Sequence, residues 1–258
     1  MTTKANGIVT LMTDFGTVDG YVAAMKGALL SVCPRATLVD VTHHIPSQDV
    51  IEAAFQLSTV WSTFPDGTVH VVVVDPGVGS DRRALAVAAG GQYFLAPDNG
   101  LLTLLTANVP PDEVIALNEP RFFRSDVSST FHGRDIFAPV AGHLASGRVK
   151  LAELGAPLDA EDIVRLPWAP VDEGGPTVCG PVVSIDRFGN CRTLITRRHL
   201  RGDLAHLHVR CGNVAVREDN TANATFPELL MARPMDFAPR QFFEAETAVA
   251  EVPGVRLR

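Results

Sequence analysis

The sequence predicts an α/β protein: an N-terminal, mainly parallel sheet flanked by helices over residues 1–165, followed by a smaller all-β, barrel-like domain over residues 166–258. Three observations predict it. Through the first 150 residues, apolar runs of strand length alternate with segments of helical period, as in strands joined by crossover helices. One run, Val69 to Val74, ends in four consecutive valines, the texture of a strand covered on both faces. Beyond about residue 170 the helical period disappears, and short strand-like runs follow instead: VVSI, LAHLHV and NVAV.

Taken in order, Ile8 to Thr13 is a strand ending at Asp14. Tyr21 to Cys33 is a helix with Val22, Met25, Leu29 and Val32 on one face, and Pro34 stops it. Thr37 to Val41 is the second strand. Ser47 is the expected cap of the next helix, whose apolar positions are Val50, Ala54, Leu57 and Trp61. After the valine strand, Ala84 to Ala89 and Gln92 to Ala96 pair across Gly90-Gly91. Leu101 to Asn108 and Ile136 to Ser146 are helical, and the prolines, glycines and acids between about Pro157 and Pro181 read as a linker.

Composition narrows the partners. With 46% hydrophobic and 20% charged residues the chain has enough apolar side chains for a full core, which excludes a disordered protein. A net charge of −7 argues against a general binder of nucleic acid backbones. The cysteines, Cys33, Cys179, Cys191 and Cys211, form no CxxC pair, which suits a reducing cytoplasm. The opening MTTKANGIVTLM lacks the apolar core of a signal peptide, and no apolar run reaches membrane-spanning length. The expected partner is a small molecule, together with copies of the same chain.

Polar residues gather at strand ends. Four apolar runs end in an acid or an acid-amide pair, LMTDFG, LVDVTHH, VVVVDPGVG and FLAPDNG, so Asp14, Asp75 and Asp98-Asn99 are candidates for one shared mouth. In VVVVDPGVGSDRR, Gly77 and Gly79 let backbone approach a ligand, and Arg82 and Arg83 can return positive charge toward Asp75. No Gly-Lys-Ser/Thr follows, so this is not a nucleotide P-loop. In FHGRDIF, His132 stands beside Phe131 and Gly133 as a candidate proton carrier. In VVSIDRFGNCRT, Asp186, Phe188 and Asn190 offer an acid, an aromatic face and an amide, which suit a nucleobase or an amino acid. Each also has a plain structural reading: a turn or cap for the aspartates, a surface ion pair for the arginines, a loop histidine, and a hairpin with a buried Phe. His43-His44 reads as structural.

Together LMTDFGTVDGYVAAMKG, VDVTHHIPSQD, VVVVDPGVGSDRR, APDNGLLT, FHGRDIFAP and SIDRFGN resemble the S-adenosyl-L-methionine hydroxide adenosyltransferases, a family that includes fluorinase and chlorinase enzymes. The likeness runs in order over about residues 7 to 195. It implies an α/β domain and a β-rich domain, and a homotrimer with sites at subunit interfaces. It also implies hydrolysis of S-adenosyl-L-methionine to adenosine and methionine without a cofactor or metal. By that resemblance Asp75, Arg82 and His132 handle the water, and Asp14 holds the ribose hydroxyls. Asp186 meets the methionine amino group, Phe188 and Asn190 lie near the adenosine, and Phe15 and Asn99 complete the substrate-binding set. In the fluorinase the position matching Asp75 is a tyrosine and that matching Gly133 is a serine, so this chain follows the hydrolytic pattern. The family's Asn-Ser-x-Gly segment has no counterpart in residues 221–258, where only AVAEVPGVRLR keeps a likeness. Three other readings stay open: a halogenase, a metal-dependent phosphoesterase using Asp14, His43, Asp75, Asn99 and His132, and a nucleoside-binding protein with weak activity.

Overall fold

A computed structural model describes residues 3–167, 171–172, 177–186, 191–196 and 199, together with strands at 208–211, 214–216, 229–232 and 247–251. The chain forms two compact units, Met1–Leu166 and Pro167–Arg258.

The first unit is built on seven strands: β1 (Ile8–Thr13), β2 (Thr37–Thr42), β3 (Val69–Val73), β4 (Ala84–Ala89), β5 (Gln92–Pro97), β6 (Pro111–Leu117) and β7 (Gly155–Pro157). Their order across the sheet is β2-β1-β3-β5-β4-β6-β7. The β1–β2, β1–β3 and β3–β5 ladders are parallel, while β4 runs antiparallel to both β5 and β6, and β7 antiparallel to β6. Five strands therefore point one way and only β4 and β7 the other, the mainly parallel sheet that the alternating pattern requires. Helices α1 (Tyr21–Val32) and α2 (Val50–Val60) make the crossovers from β1 to β2 and from β2 to β3. The β4–β5 hairpin turns on Gly90 and Gly91, both at positive φ (55° and 77°), as the tight two-residue turn demands.

Alternate residues of each strand feed two apolar layers. Leu11, Val71 and Leu95 face α1 and α4 (Ala138–Ala145), where Met25, Leu29, Val140 and Leu144 meet them. Met12, Val72 and Val74 face α2 and α3 (Thr103–Asn108), against Leu57, Leu101 and Leu105. Each such side chain, fully buried, contributes about 1.5–3 kcal/mol. Among the polar groups that lie inside is His70, 1% exposed, which bonds Thr10 Oγ1 at 2.7 Å through Nδ1 and Gln92 Oε1 through Nε2. Burial lowers its pKa to about 4, so the ring stays neutral at the start of β3, at the other end of that strand from Asp75.

Two local expectations are corrected. Helix α2 is capped by Asp49, whose side chain accepts from Glu52 N at 2.8 Å, not by Ser47. The reason is a turn closed by Asp49 N to Pro46 O, with Gln48 at φ 65°, which consumes Ser47. The stretch after Pro157 does not behave as a linker as far as Leu166. Ile163 is buried in the core, and the backbone amides of Val164 and Leu166 donate to Asp98 and Thr103.

The second unit holds β8 (Thr177–Ile185), β9 (Cys191–Thr196), β10 (His208–Cys211), β11 (Val214–Val216), β12 (Leu229–Ala232) and β13 (Thr247–Glu251). They form one sheet in the order β11-β10-β13-β8-β9-β12, antiparallel throughout. Among the described residues no ladder closes β11 onto β12 into a barrel. Phe188 and Asn190 lie outside the described residues.

Candidate active site

β1 and β3 are adjacent and parallel, with Thr13 opposite Val73, so Asp14 and Asp75 leave the sheet at the same edge. Here the loops that follow parallel strands converge. After Asp75 the chain folds into two tight turns, Val78 N to Asp75 O and Ser80 N to Gly77 O. Gly79 sits at φ 79°, and a Cβ there would stand 2.3 Å from Ser129 O, so only glycine lets the 125–131 segment pass this closely. Gly77 has no such demand, since a Cβ would find ordinary contacts.

That close passage delivers His132. Its segment is folded back by Asp135, which is fully buried and accepts from Ser128 N at 3.0 Å and from Arg134 Nε at 2.6 Å. Burial pushes the Asp135 carboxyl up, but the bonds from Arg134 and Ser128 outweigh this and hold it below the usual carboxylate range. Residues Gly133–Phe137 then make a single widened π-turn that leads into α4.

The result is a three-residue contact drawn from two distant parts of the chain. Arg82 grips Asp75 with both ends of its fork, Nε to Oδ1 at 3.0 Å and Nη2 to Oδ2. The same Nη2 reaches His132 Nδ1 at 2.8 Å. The Asp75 and Arg82 side chains are only 4% and 10% exposed, so this ion pair is shielded from water. The Arg82 guanidinium also lies 5.7 Å from the centre of the Phe137 ring. An arginine can only donate, so the Nδ1 of His132 is an acceptor and the neutral ring carries its proton on Nε2. Burial and the Arg82 charge lower the His132 pKa, against the opposing pull of Asp75 and Asp135, which keeps the imidazole neutral near pH 7.

Aromatic rings stand beside this trio. Phe15, Tyr21 and Phe131 contact one another edge to face, at 5.4–6.3 Å between centroids. A Cβ on Gly133 would come within 3.2 Å of the Phe15 ring, so Phe15 packs directly on the backbone next to His132. Asp14 accepts from Gln48 N at 2.9 Å through one oxygen.

Other candidates are placed differently. Asn99 donates to Val74 O at 2.9 Å and accepts from Leu101 N, so its amide braces the end of β3. Arg83 turns away from Asp75 and binds Asp98, which also accepts from Val164 N, making that pair structural. Asp186 lies in the second unit, 3.7 Å from Arg192. His43 is taken up by Thr13 and Asp40 rather than aimed at Asp75, and among the described residues no three His, Cys, Asp or Glu side chains are placed to share a metal. That weakens the phosphoesterase reading. Sequence reasoning missed Asp135 and Arg124 as the residues that fold the His132 segment back; the FHGRD motif showed the acid but not what it ties down.

A sequence model described as the SAM hydroxide adenosyltransferase N-terminal domain matches residues 9–155, which include Asp14, Asp75, Arg82 and His132. The chain is 41% identical over 189 residues to a protein named (R)-S-adenosyl-L-methionine hydrolase from Salinispora arenicola, covering 73% of this chain and 72% of that protein. It is 32% identical over 225 residues to a fluorinase from Actinoplanes sp., covering 78% and 75%. A crystal structure of an uncharacterized conserved protein from Thermotoga maritima has a TM-score of 0.82 at 29% identity, covering 95% of this chain and 100% of that one. The chain belongs to the SAM hydroxide adenosyltransferase family.

Proposed function

We propose that this protein is an S-adenosyl-L-methionine hydrolase, in which water attacks C5′ of the substrate to give adenosine and L-methionine. The observation that carries this reading is the shielded contact of Asp75, Arg82 and His132. The leaving group is a neutral thioether departing from a sulfonium, so no acid is needed to help it go. The weak partner is the water, and catalysis consists in making it a better nucleophile and holding it in line with the breaking C–S bond.

Each member of the trio then has a role set by its bonds. Arg82 fixes the carboxylate of Asp75 in one orientation through a two-pronged grip. Asp75 retains lone pairs beyond those that Arg82 uses, and it is the acceptor for the water's proton. His132, with Nδ1 occupied by Arg82, offers Nε2–H as a donor that orients the same water. Asp14 and Phe15 serve the ribose and the neighbouring wall, Asn99 braces the loop, and Asp186, Phe188 and Asn190 complete the adenine and methionine side. No cofactor is required by this chemistry.

The hydrolase reading is preferred to the halogenase one on two grounds. Identity is higher to the named hydrolase than to the fluorinase. In addition, a side chain at Gly133, where the fluorinase pattern has serine, would press on the Phe15 ring at 3.2 Å. The family likeness further supports a homotrimer with sites at subunit interfaces, which sedimentation reads as three chain masses. Cysteine usage supports a reducing cytoplasm; among the described residues no helix is long and apolar enough to cross a membrane.

The test is incubation of the purified protein with S-adenosyl-L-methionine in chloride- and fluoride-containing buffers. Equimolar adenosine and methionine are expected in both. Formation of a 5′-halo-5′-deoxyadenosine would overturn the reading, and so would tight substrate binding without methionine release.

A further inference from the structure

The proposed chemistry leaves one buried histidine at this end of the sheet without a task. His43, 3% exposed, follows β2 and lies behind the turn that carries Asp14 and Phe15. It belongs to a chain of polar contacts running from the protein surface to that turn. Lys26 Nζ donates to Asp40 Oδ2 at 2.6 Å. Asp40 Oδ1 stands 3.1 Å from His43 Nε2, within ion-pair reach, so the carboxylate acts on the ring as a neighbouring charge. His43 Nδ1 is 2.9 Å from Thr13 Oγ1, and Thr13 is fully buried. Thr13 Oγ1 in turn accepts from Phe15 N at 3.2 Å, and Gly16 N donates to His43 O at 2.7 Å.

The neutral His43 tautomer with its hydrogen on Nε2 satisfies every link of this chain. Burial pushes the Asp40 carboxyl up, but Lys26 and His43 more than offset it, so Asp40 is ionised and favours a hydrogen on the His43 nitrogen nearest to it. With Nε2 protonated, Nδ1 presents a lone pair. The Thr13 hydroxyl has one hydrogen, and it goes to Nδ1. Its oxygen is then free to accept the Phe15 amide, so every link points the same way: Phe15 N–H to Thr13, and Thr13 O–H to His43.

We infer that His43 is a positioning residue: held by Asp40, it fixes the Thr13 hydroxyl and through it the Asp14–Phe15 turn that grips the substrate. The inference rests on the hydrolase reading, in which that turn holds the adenosyl group while Asp75, Arg82 and His132 act on the water. Loss of His43 therefore loosens substrate binding and leaves the chemical step intact.

Steady-state kinetics with S-adenosyl-L-methionine on the full chain, with melting temperatures alongside, test this in four variants. His43→Phe keeps the ring's bulk without an acceptor, and Thr13→Val keeps the shape without the hydroxyl. Each is expected to raise KM about tenfold, the size of one lost hydrogen bond, while kcat stays within about threefold. The double variant is expected to be no worse than either single one, because both break one link. His43→Asn, whose Oδ1 can take the place of Nδ1, is expected to restore most of the affinity. An unchanged KM, a kcat falling with KM, additive losses, or no rescue by Asn each overturn the inference; if His43→Phe does not fold, Thr13→Val and His43→Asn decide it. Calorimetric affinity for adenosine on the same proteins separates the two levels. A wild type that binds adenosine without turnover sinks the hydrolase reading while the variants still report on the turn, and a wild type that does neither sinks both.

Discussion

Arg82 and Arg83 are neighbours in sequence, each bound to an aspartate at the end of a strand, yet they do different things. Arg82 holds Asp75 and also meets His132. Arg83 holds Asp98 at 2.6 Å, and that pair is closed off by backbone: Val164 N donates to Asp98, and Arg83 donates to Asp162 O. Adjacent residues entering a strand point to opposite sides, so the same dipeptide serves both faces of one sheet. The difference teaches that a shielded ion pair is not by itself a site. What separates the two is a third group with proton chemistry within reach of the first pair, and a loop strapped down by the second.

The comparison breaks most sharply at the aspartates. Asp75→Ala is expected to lower kcat per folded molecule by about 10²–10⁴-fold and also to cost stability, since it leaves the Arg82 guanidinium, 10% exposed, without its partner; turnover assays and calorimetry read both. Asp98→Ala is expected to cost stability alone. It orphans the Val164 amide and leaves Arg83, 37% exposed, to solvent, and costs about 1–3 kcal/mol in a denaturant titration, with kcat per folded molecule little changed. Equal loss of activity in both variants would erase the distinction.

A milder pair sharpens the same contrast. Arg82→Lys keeps the charge but loses the fork that spans Asp75 and His132, and is expected to lower kcat roughly tenfold through a single lost charge-assisted contact. Arg83→Lys, at a side chain 37% exposed, is expected to change stability by under about 1 kcal/mol and kcat hardly at all.

Much of this was legible in the sequence, for reasons that particular elements make plain. The runs that became β1, β2, β3, β4 and β5 and the periods that became α1 and α2 were readable because burial on a fixed face imposes a fixed spacing. β6 was not, since Pro111-Asp112-Glu113 disguises its start, and β7 is only the tripeptide Gly155-Ala156-Pro157. Leu158, Ile163 and Leu166 pack singly among acids and so show no period. At the site, the residue types were readable in DPGVGSDRR and FHGRD, but which arginine meets which aspartate depends on the face each takes, and that only the sheet decides.

The gentlest test is pH. Because burial and the Arg82 charge lower the His132 pKa, the neutral ring that accepts from Arg82 persists at pH 6.5 and is lost only at more acidic pH. The acid limb of kcat/KM is therefore expected below pH 6.5, provided the protein remains folded there by circular dichroism; a limb above 6.5 would mean that Arg82 and His132 are not in contact in the working enzyme.

The central claim is that Asp75, Arg82 and His132 direct one water molecule at C5′ of the substrate. Turnover of S-adenosyl-L-methionine in ¹⁸O-water measures it directly by mass spectrometry of the products. The account predicts a single ¹⁸O in the 5′-hydroxyl of adenosine and none in methionine, with the labelled product all but absent for Asp75→Ala. Unlabelled adenosine, or undiminished labelling by the variant, would contradict it.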